Sequence, residues 1–287
     1  MKSLSLRGIV TPLVTPLTSD ERIDAPSLRR LVDSQIEGGV HGLWVMGTTG
    51  EFAAFDADER RLAITTVVEQ AAGRLPVVAN VSDAATRLVL RHARSAQEAG
   101  ADAVAVTPPY YYPHSQAELL AHYRAVAGSC DLPVFIYNIP QTVRVAVGLE
   151  TAIALAREGT VAGIKDSQNN LEWFRELTLA LAPMRPGFMA FAGTRHLIDA
   201  AVLAGAVGAI PSLANSHPVL CVDTFLAAER GDFASARKTQ TEIVAIESKI
   251  HAGTGSKNAA VIGAIKAELY RRGVIGSPTV TAPLLPD

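Results

Sequence analysis

Lys165 is the residue best placed in this sequence to do covalent chemistry. The chain holds Lys2, Lys165, Lys238, Lys249, Lys257 and Lys266. Five of these six lie in the N-terminal tail or in polar helix and loop contexts, where a solvated surface is the natural expectation. Lys165 alone ends an apolar run, Val161-Ala162-Gly163-Ile164. An ammonium in such a place is costly unless paired or neutralised. Desolvation lowers a lysine's pKa, and the neutral amine is the form that attacks a carbonyl carbon. The position fits Schiff-base formation. It also fits a lysine paired with the neighbouring Asp166.

Three further segments carry polar groups at the ends of apolar runs. Gly47-Thr48-Thr49-Gly50-Glu51 offers two hydroxyls and several backbone N–H groups on a turn that glycine permits, a good cradle for a carboxylate. The alternative is an ordinary glycine-rich turn capped by threonine. Tyr137-Asn138-Ile139-Pro140 follows Val134-Phe135-Ile136, so a buried strand delivers a phenol. Beside an amine, a phenol can shuttle protons during carbinolamine formation. By itself it also fits a core tyrosine with a satisfied hydroxyl. Thr107-Pro108-Pro109-Tyr110-Tyr111-Tyr112-Pro113 holds half of the chain's six tyrosines, which suits a pocket wall or, better, a subunit contact. An amine, a carboxylate cradle and a proton shuttle together are what a lysine-dependent enzyme of 2-oxo acids requires.

The elements that must position these groups are short apolar runs alternating with longer helical segments. The runs are Gly8–Pro16, Gly42–Thr49, Pro76–Ser82, Ala103–Tyr110, Pro133–Pro140, Val161–Ser167, Phe188–Thr194 and Val207–Asn215. Their spacing is the rhythm of a parallel (β/α)8 TIM barrel, and 287 residues suit one such barrel. Most runs are apolar at nearly every position, as strands covered on both faces must be. Ile64, Val67, Val68, Ala71 and Ala72 fall at helical spacing. Glu37–Gly42, Glu98–Ala103 and Leu203–Gly208 repeat one helix-to-strand turn built around a glycine. Beyond Asn215 no strand is predicted. Pro218–Arg230, Phe233–His251 and Ala259–Arg272 read as helices, and Thr279–Pro286 as an extended arm. The chain thus divides into a barrel over residues 1–230 and a C-terminal helical extension over 231–287. A doubly wound sheet is disfavoured by the strand count and by the lack of a G-x-G-x-x-G turn after the first strand.

Composition narrows the partners. The net charge is −2, which gives no electrostatic reason to expect nucleic acid or an anionic membrane. A small molecule in a pocket is the expected partner. Cys130 and Cys221 show no paired spacing, the N-terminus has no apolar signal region, and no apolar run approaches a membrane span. A cytoplasmic protein is expected. No H-E-x-x-H or clustered His/Cys spacing points to a metal, and no P-loop or G-x-S-x-G elbow is present; no metal or cofactor is expected.

The chain resembles the dihydrodipicolinate synthase / N-acetylneuraminate lyase family over essentially its whole length. The resemblance rests on Gly47–Glu51, Thr107–Tyr112, Tyr137–Pro140, Gly163–Asp166 and Gly205–Asn215, in family order. It implies a class I aldolase without metal, usually a homotetramer built from tight dimers. Lys165 would form the imine, Thr48 and Thr49 on the Gly47 turn would hold the carboxylate, and Tyr137 would relay protons. Thr48 would link Tyr137 to Tyr111, which in the family commonly crosses from a neighbouring subunit. Ile210 matches a position whose carbonyl lines the site. True dihydrodipicolinate synthases carry an arginine two residues after the proline of the tyrosine motif; here Thr142 stands there, with Arg144 beyond it. Sialic acid lyases place acidic residues after the seventh-strand glycine; here Gly193 is followed by Thr194, Arg195 and His196. The remaining branch acts on 2-oxo-3-deoxy sugar acids and hydroxy-oxo acids. Ser167, Thr194 and Ser212 suit a polyhydroxylated or short polar acceptor, and Arg195 either pairs with a distal carboxylate or is a surface residue. The alternatives are 4-hydroxy-tetrahydrodipicolinate synthase, which joins pyruvate to aspartate semialdehyde, a Schiff-base dehydratase, and a catalytically silent sensor of 2-oxo acids.

Overall fold

The computed structural model describes residues 4–184, 187–250 and 255–285. Eight parallel strands close into a barrel in sequence order: β1 (Gly8–Pro12), β2 (Gly42–Val45), β3 (Val77–Asn80), β4 (Ala103–Val106), β5 (Val134–Asn138), β6 (Gly163–Asp166), β7 (Met189–Ala192) and β8 (Gly208–Ala209). Between them run α1 (Ala25–Glu37), α2 (Ala57–Ala71), α3 (Thr86–Glu98), α4 (Gln116–Ala127), a short α5 (Pro140–Val143), α6 (Leu149–Arg157), α7 (Leu171–Ala180) and α8 (Ile198–Leu203). After the last strand come α9 (Pro218–Glu229), α10 (Phe233–Glu247) and α11 (Lys257–Arg271). Among the described residues no helix is long and apolar enough to cross a membrane.

Every strand residue is buried, because one face meets the helices and the other fills the barrel. Alternation along each strand sorts the side chains into two layers. Val10, Trp44, Val78, Ala103, Ala105, Phe135, Tyr137, Met189 and Phe191 pack together inside the barrel. Their strand neighbours Ile9, Leu43, Val45, Val77, Ala79, Val104, Val106, Val134, Ile136, Ile164 and Ala190 pack outward against the helices. The repeated helix-to-strand turn places Gly39, Gly100 and Gly205 at φ +73°, +86° and +96°, the left-handed conformation the sequence pattern called for.

The ends of several runs differ from expectation. The second run leaves the sheet at Val45, since Met46 takes φ +58°. The eighth strand is only Gly208–Ala209, and Ser212–Asn215 forms a 3-10 turn. Pro211 has no N–H for a ladder. Asn215 instead stitches this turn to β1: its Oδ1 accepts from Val14 N at 2.9 Å, and its Nδ2 donates to the Pro12 carbonyl at 2.8 Å. α10 stops at Glu247, where Lys249 and Ile250 N–H groups turn back onto Ile246 and Glu247 carbonyls. α11 starts two residues earlier than expected, capped by Ser256. Lys2, His251 and Pro286 lie outside the described residues.

Candidate active site

Register brings the chemistry together. Tyr137 on β5 pairs with Lys165 on β6, and Lys165 pairs with Phe191 on β7. Paired residues of parallel strands project to the same face, so the amine and the phenol share the barrel interior. Lys165 is 3% exposed. Its Nζ lies 4.2 Å from the centroid of the Tyr137 ring and 5.1 Å from that of Trp44. Burial lowers its pKa from the ordinary lysine value, and the nearby Tyr137 phenol offsets part of that. Gly163 leaves room beneath: a Cβ there would strike the Phe135 ring and the Met189 carbonyl.

The next residue along the strand faces the other way. Asp166 is not the partner of Lys165; strand alternation turns it outward, where Asn138 Nδ2 donates to its Oδ1 at 2.8 Å. Burial raises the Asp166 pKa to about 7, against the hydrogen bond from Asn138. Asn138 is held in turn, its Oδ1 accepting from Val147 N at 3.1 Å.

Thr48 Oγ1 and the Tyr137 hydroxyl lie 3.1 Å apart in a hydrogen bond. The turn around Thr48 spends the N–H groups of Gly50, Glu51 and Phe52 on the carbonyls of Gly47 and Thr48, and does not use those of Thr48 and Thr49. Gly47 backs onto the Trp44 ring, where an added Cβ would sit 3.1 Å away. Thr15 Oγ1 ties the turn down by donating to the Gly50 carbonyl at 2.7 Å.

Thr48, Thr49, Tyr137, Lys165, Ser167, Thr194, Ile210 and Ser212 line one cavity of about 230 Å³, together with Gln141, Asn169, Arg195 and Asn258. Ser212 Oγ is buried and has no partner among the described residues. Gly193 is required where β6 and β7 end, because a Cβ would collide with Ser167 Oγ. These eight expected positions therefore meet in one cavity, and Gly47 supports its wall.

Tyr111 is elsewhere. It is 86% exposed at φ +100° and borders a separate groove with Tyr112, Thr142 and Arg144. Within this one chain the hydroxyl of Thr48 reaches Tyr137 and not Tyr111. Thr142 and Arg144 likewise lie outside the Lys165 cavity, whereas Gln141 faces it.

Lys266, expected at the surface, and Arg195, left open between a distal carboxylate and the surface, both hold partners inside the fold. Lys266 is fully buried; its Nζ sits 2.5 Å from Glu51 Oε1 and donates to the Thr279 carbonyl at 2.7 Å. The signal was present in the sequence: Ile262, Lys266 and Leu269 share the apolar face of α11. Arg195 pairs through Nε with Glu247 of α10, whose side chain is 2% exposed. Trp44, the floor beneath the amine, was also not singled out, although the alternation of β2 turns it inward. Among the described residues no group of three or more His, Cys, Asp or Glu could hold a metal ion.

Comparison with known proteins agrees with this architecture. The Dihydrodipicolinate synthetase family matches residues 5–287. A DapA-like lyase of Halobacterium salinarum is 34% identical over 96% of this chain and 87% of its own length. A 4-hydroxy-tetrahydrodipicolinate synthase of Salinibacter ruber is 36% identical over 83% of this chain and 78% of its own. Dihydrodipicolinate synthase from Bacteroides thetaiotaomicron superposes with a TM-score of 0.92 at 34% identity, covering 99% of this chain and 95% of that one. The E. coli K12 prophage protein YagE, solved in complex with pyruvate, gives a TM-score of 0.91 at 28% identity, with 98% and 93% covered. The barrel, its unbroken match and these relatives lead to one conclusion: the chain belongs to the dihydrodipicolinate synthetase family of lyases and aldolases.

Proposed function

We propose that the protein is a Schiff-base lyase that cleaves or forms a 2-oxo-3-deoxy sugar acid or hydroxy-oxo acid through Lys165. The observation that carries this is a buried amine against the Tyr137 phenol, in one cavity with Thr48 and Thr49. Neutral Lys165 attacks the 2-oxo carbon, and a carbinolamine forms. Its hydroxyl leaves as water after Tyr137 delivers a proton, giving the imine. The hydroxyls and unused N–H groups of Thr48 and Thr49 hold the carboxylate. Breaking the C3–C4 bond sends its electron pair into the imine as an enamine, while the C4 hydroxyl gives up its proton and leaves as an aldehyde. Protonation of the enamine and hydrolysis return the amine and release pyruvate.

The hydroxyl and amide groups of Gln141, Ser167, Asn169, Thr194 and Ser212 give the acceptor end the hydrogen-bonding character a polyol needs. The synthase reading is kept by the names of the relatives above; it is disfavoured by Thr142, a neutral side chain where the resemblance calls for an arginine. The test is reduction with borohydride with and without pyruvate, followed by mass measurement. A pyruvate-dependent adduct on Lys165 is expected, and its absence would overturn the proposal. Pyruvate release from a set of 2-oxo-3-deoxy acids then names the substrate. An intact carbon skeleton would assign dehydration instead, and comparable turnover of pyruvate with aspartate semialdehyde would restore the synthase.

A further inference from the structure

The only buried ion pair joining the carboxylate turn to the rest of the described molecule is Glu51–Lys266. We infer that this pair, closed by Thr281, is a positioning device for the turn that binds the 2-oxo-acid carboxylate; the inference rests on the Schiff-base function proposed above. Glu51 directly follows the Thr48–Gly50 cradle and holds φ +58°. A glutamate in that conformation costs energy that a turn of this kind must recover from its contacts. Glu51 Oε2 accepts from Thr281 N at 2.6 Å and from Thr281 Oγ1 at 2.9 Å. Glu51 Oε1 meets Lys266 Nζ at 2.5 Å, and that ammonium also donates to the Thr279 carbonyl at 2.7 Å. Both side chains are at most 1% exposed.

A surface ion pair with this spacing would contribute little. In a dry site the balance differs: a satisfied pair fixes geometry, and removal of one partner strands a charge that must be resolved by movement or by a proton. Thr15 holds the turn at the Gly50 carbonyl, and Glu51 N donates to the Thr48 carbonyl at 3.1 Å, so a shift of the glutamate is passed to Thr48. Thr48 is the residue that hydrogen bonds the Tyr137 phenol. Glu51 and Lys266 touch neither the amine's cavity nor its contents and act only through the turn.

The experiment titrates pyruvate in borohydride trapping of the wild type and of Lys266→Met, Glu51→Gln and Thr281→Val, with melting temperature measured in parallel. A positioning role predicts that Lys266→Met and Glu51→Gln raise the half-saturating pyruvate concentration about tenfold or more, with full labelling of Lys165 still reached in excess pyruvate. Thr281→Val keeps the N–H donor and loses one hydroxyl contact, so its shift is smaller, about two- to threefold. It is the variant expected to fold if the others do not. A lower melting temperature with unchanged half-saturation in every folded variant assigns the pair to stability alone and overturns the inference. A wild type that forms no adduct overturns the function proposed above instead.

Discussion

The chemistry asked of Lys165 depends on its charge. Replacing Lys165 with alanine removes the adduct, whereas replacing Tyr137 with phenylalanine leaves the amine and loses the proton relay. Turnover of Tyr137→Phe should fall by about 10²-fold or more while trapped pyruvate still appears on Lys165. Burial lowers the lysine's pKa below its ordinary 10.5, so at a given pH its reactive neutral fraction exceeds that of a solvated lysine. Trapping rates measured against pH should rise with a midpoint below that value; a midpoint at 10.5 would mean a solvated amine. This residue was legible because an apolar strand delivers it. Lys266 was not, because a lysine inside a helix of mixed polarity gives no hint of a carboxylate about two hundred residues earlier in the chain. Only the register of Ile262, Lys266 and Leu269 betrays it.

Elements carry the next level of specification. The outward-facing Asp166 titrates at about 7 in the fold, against 3.8 ordinarily. Between those values the folded chain holds a proton that the unfolded chain has released, so stability falls as pH rises through this window and levels off above about 7. Asp166→Asn removes the fall. Its stability relative to the wild type should grow from pH 4 to pH 7 by up to roughly 4 kcal/mol, read from denaturant melts at both pH values. A difference that does not change with pH would contradict a buried, protonated Asp166. The seam between β8 and β1 is tested differently. A Cβ on Gly208 would run into the backbone of Gly8, so Gly208→Ala should cost about 3 kcal/mol or more. Strand number and order followed from the spacing of the apolar runs, whereas the inward-facing residues did not, because the runs are apolar on both faces. The brevity of β8 did not, because Val207–Asn215 is apolar enough for a strand, and it is the side chain of Asn215 that draws it into a turn.

At the scale of the molecule, one chain brings the amine, phenol and cradle together but leaves Tyr111 facing outward. The family resemblance implies a neighbouring subunit's site for this tyrosine, and in the single chain it is uncovered. Tyr111→Phe should lower turnover by about tenfold with the assembly intact, as judged by sedimentation. Loss of activity together with dissociation would make it an interface residue only. The motif was readable in sequence; its direction was not, since φ +100° at Tyr111 is set by the loop and leaves no trace in residue type.

The fastening of Glu51 spans 230 positions of sequence to Thr281. A ribosome therefore finishes all eight strands, and Lys165 with them, while Glu51 still has no counter-ion. If the pair positions the turn as inferred, a truncated product lacking Lys266 would carry every strand of the barrel and a looser grip on its substrate.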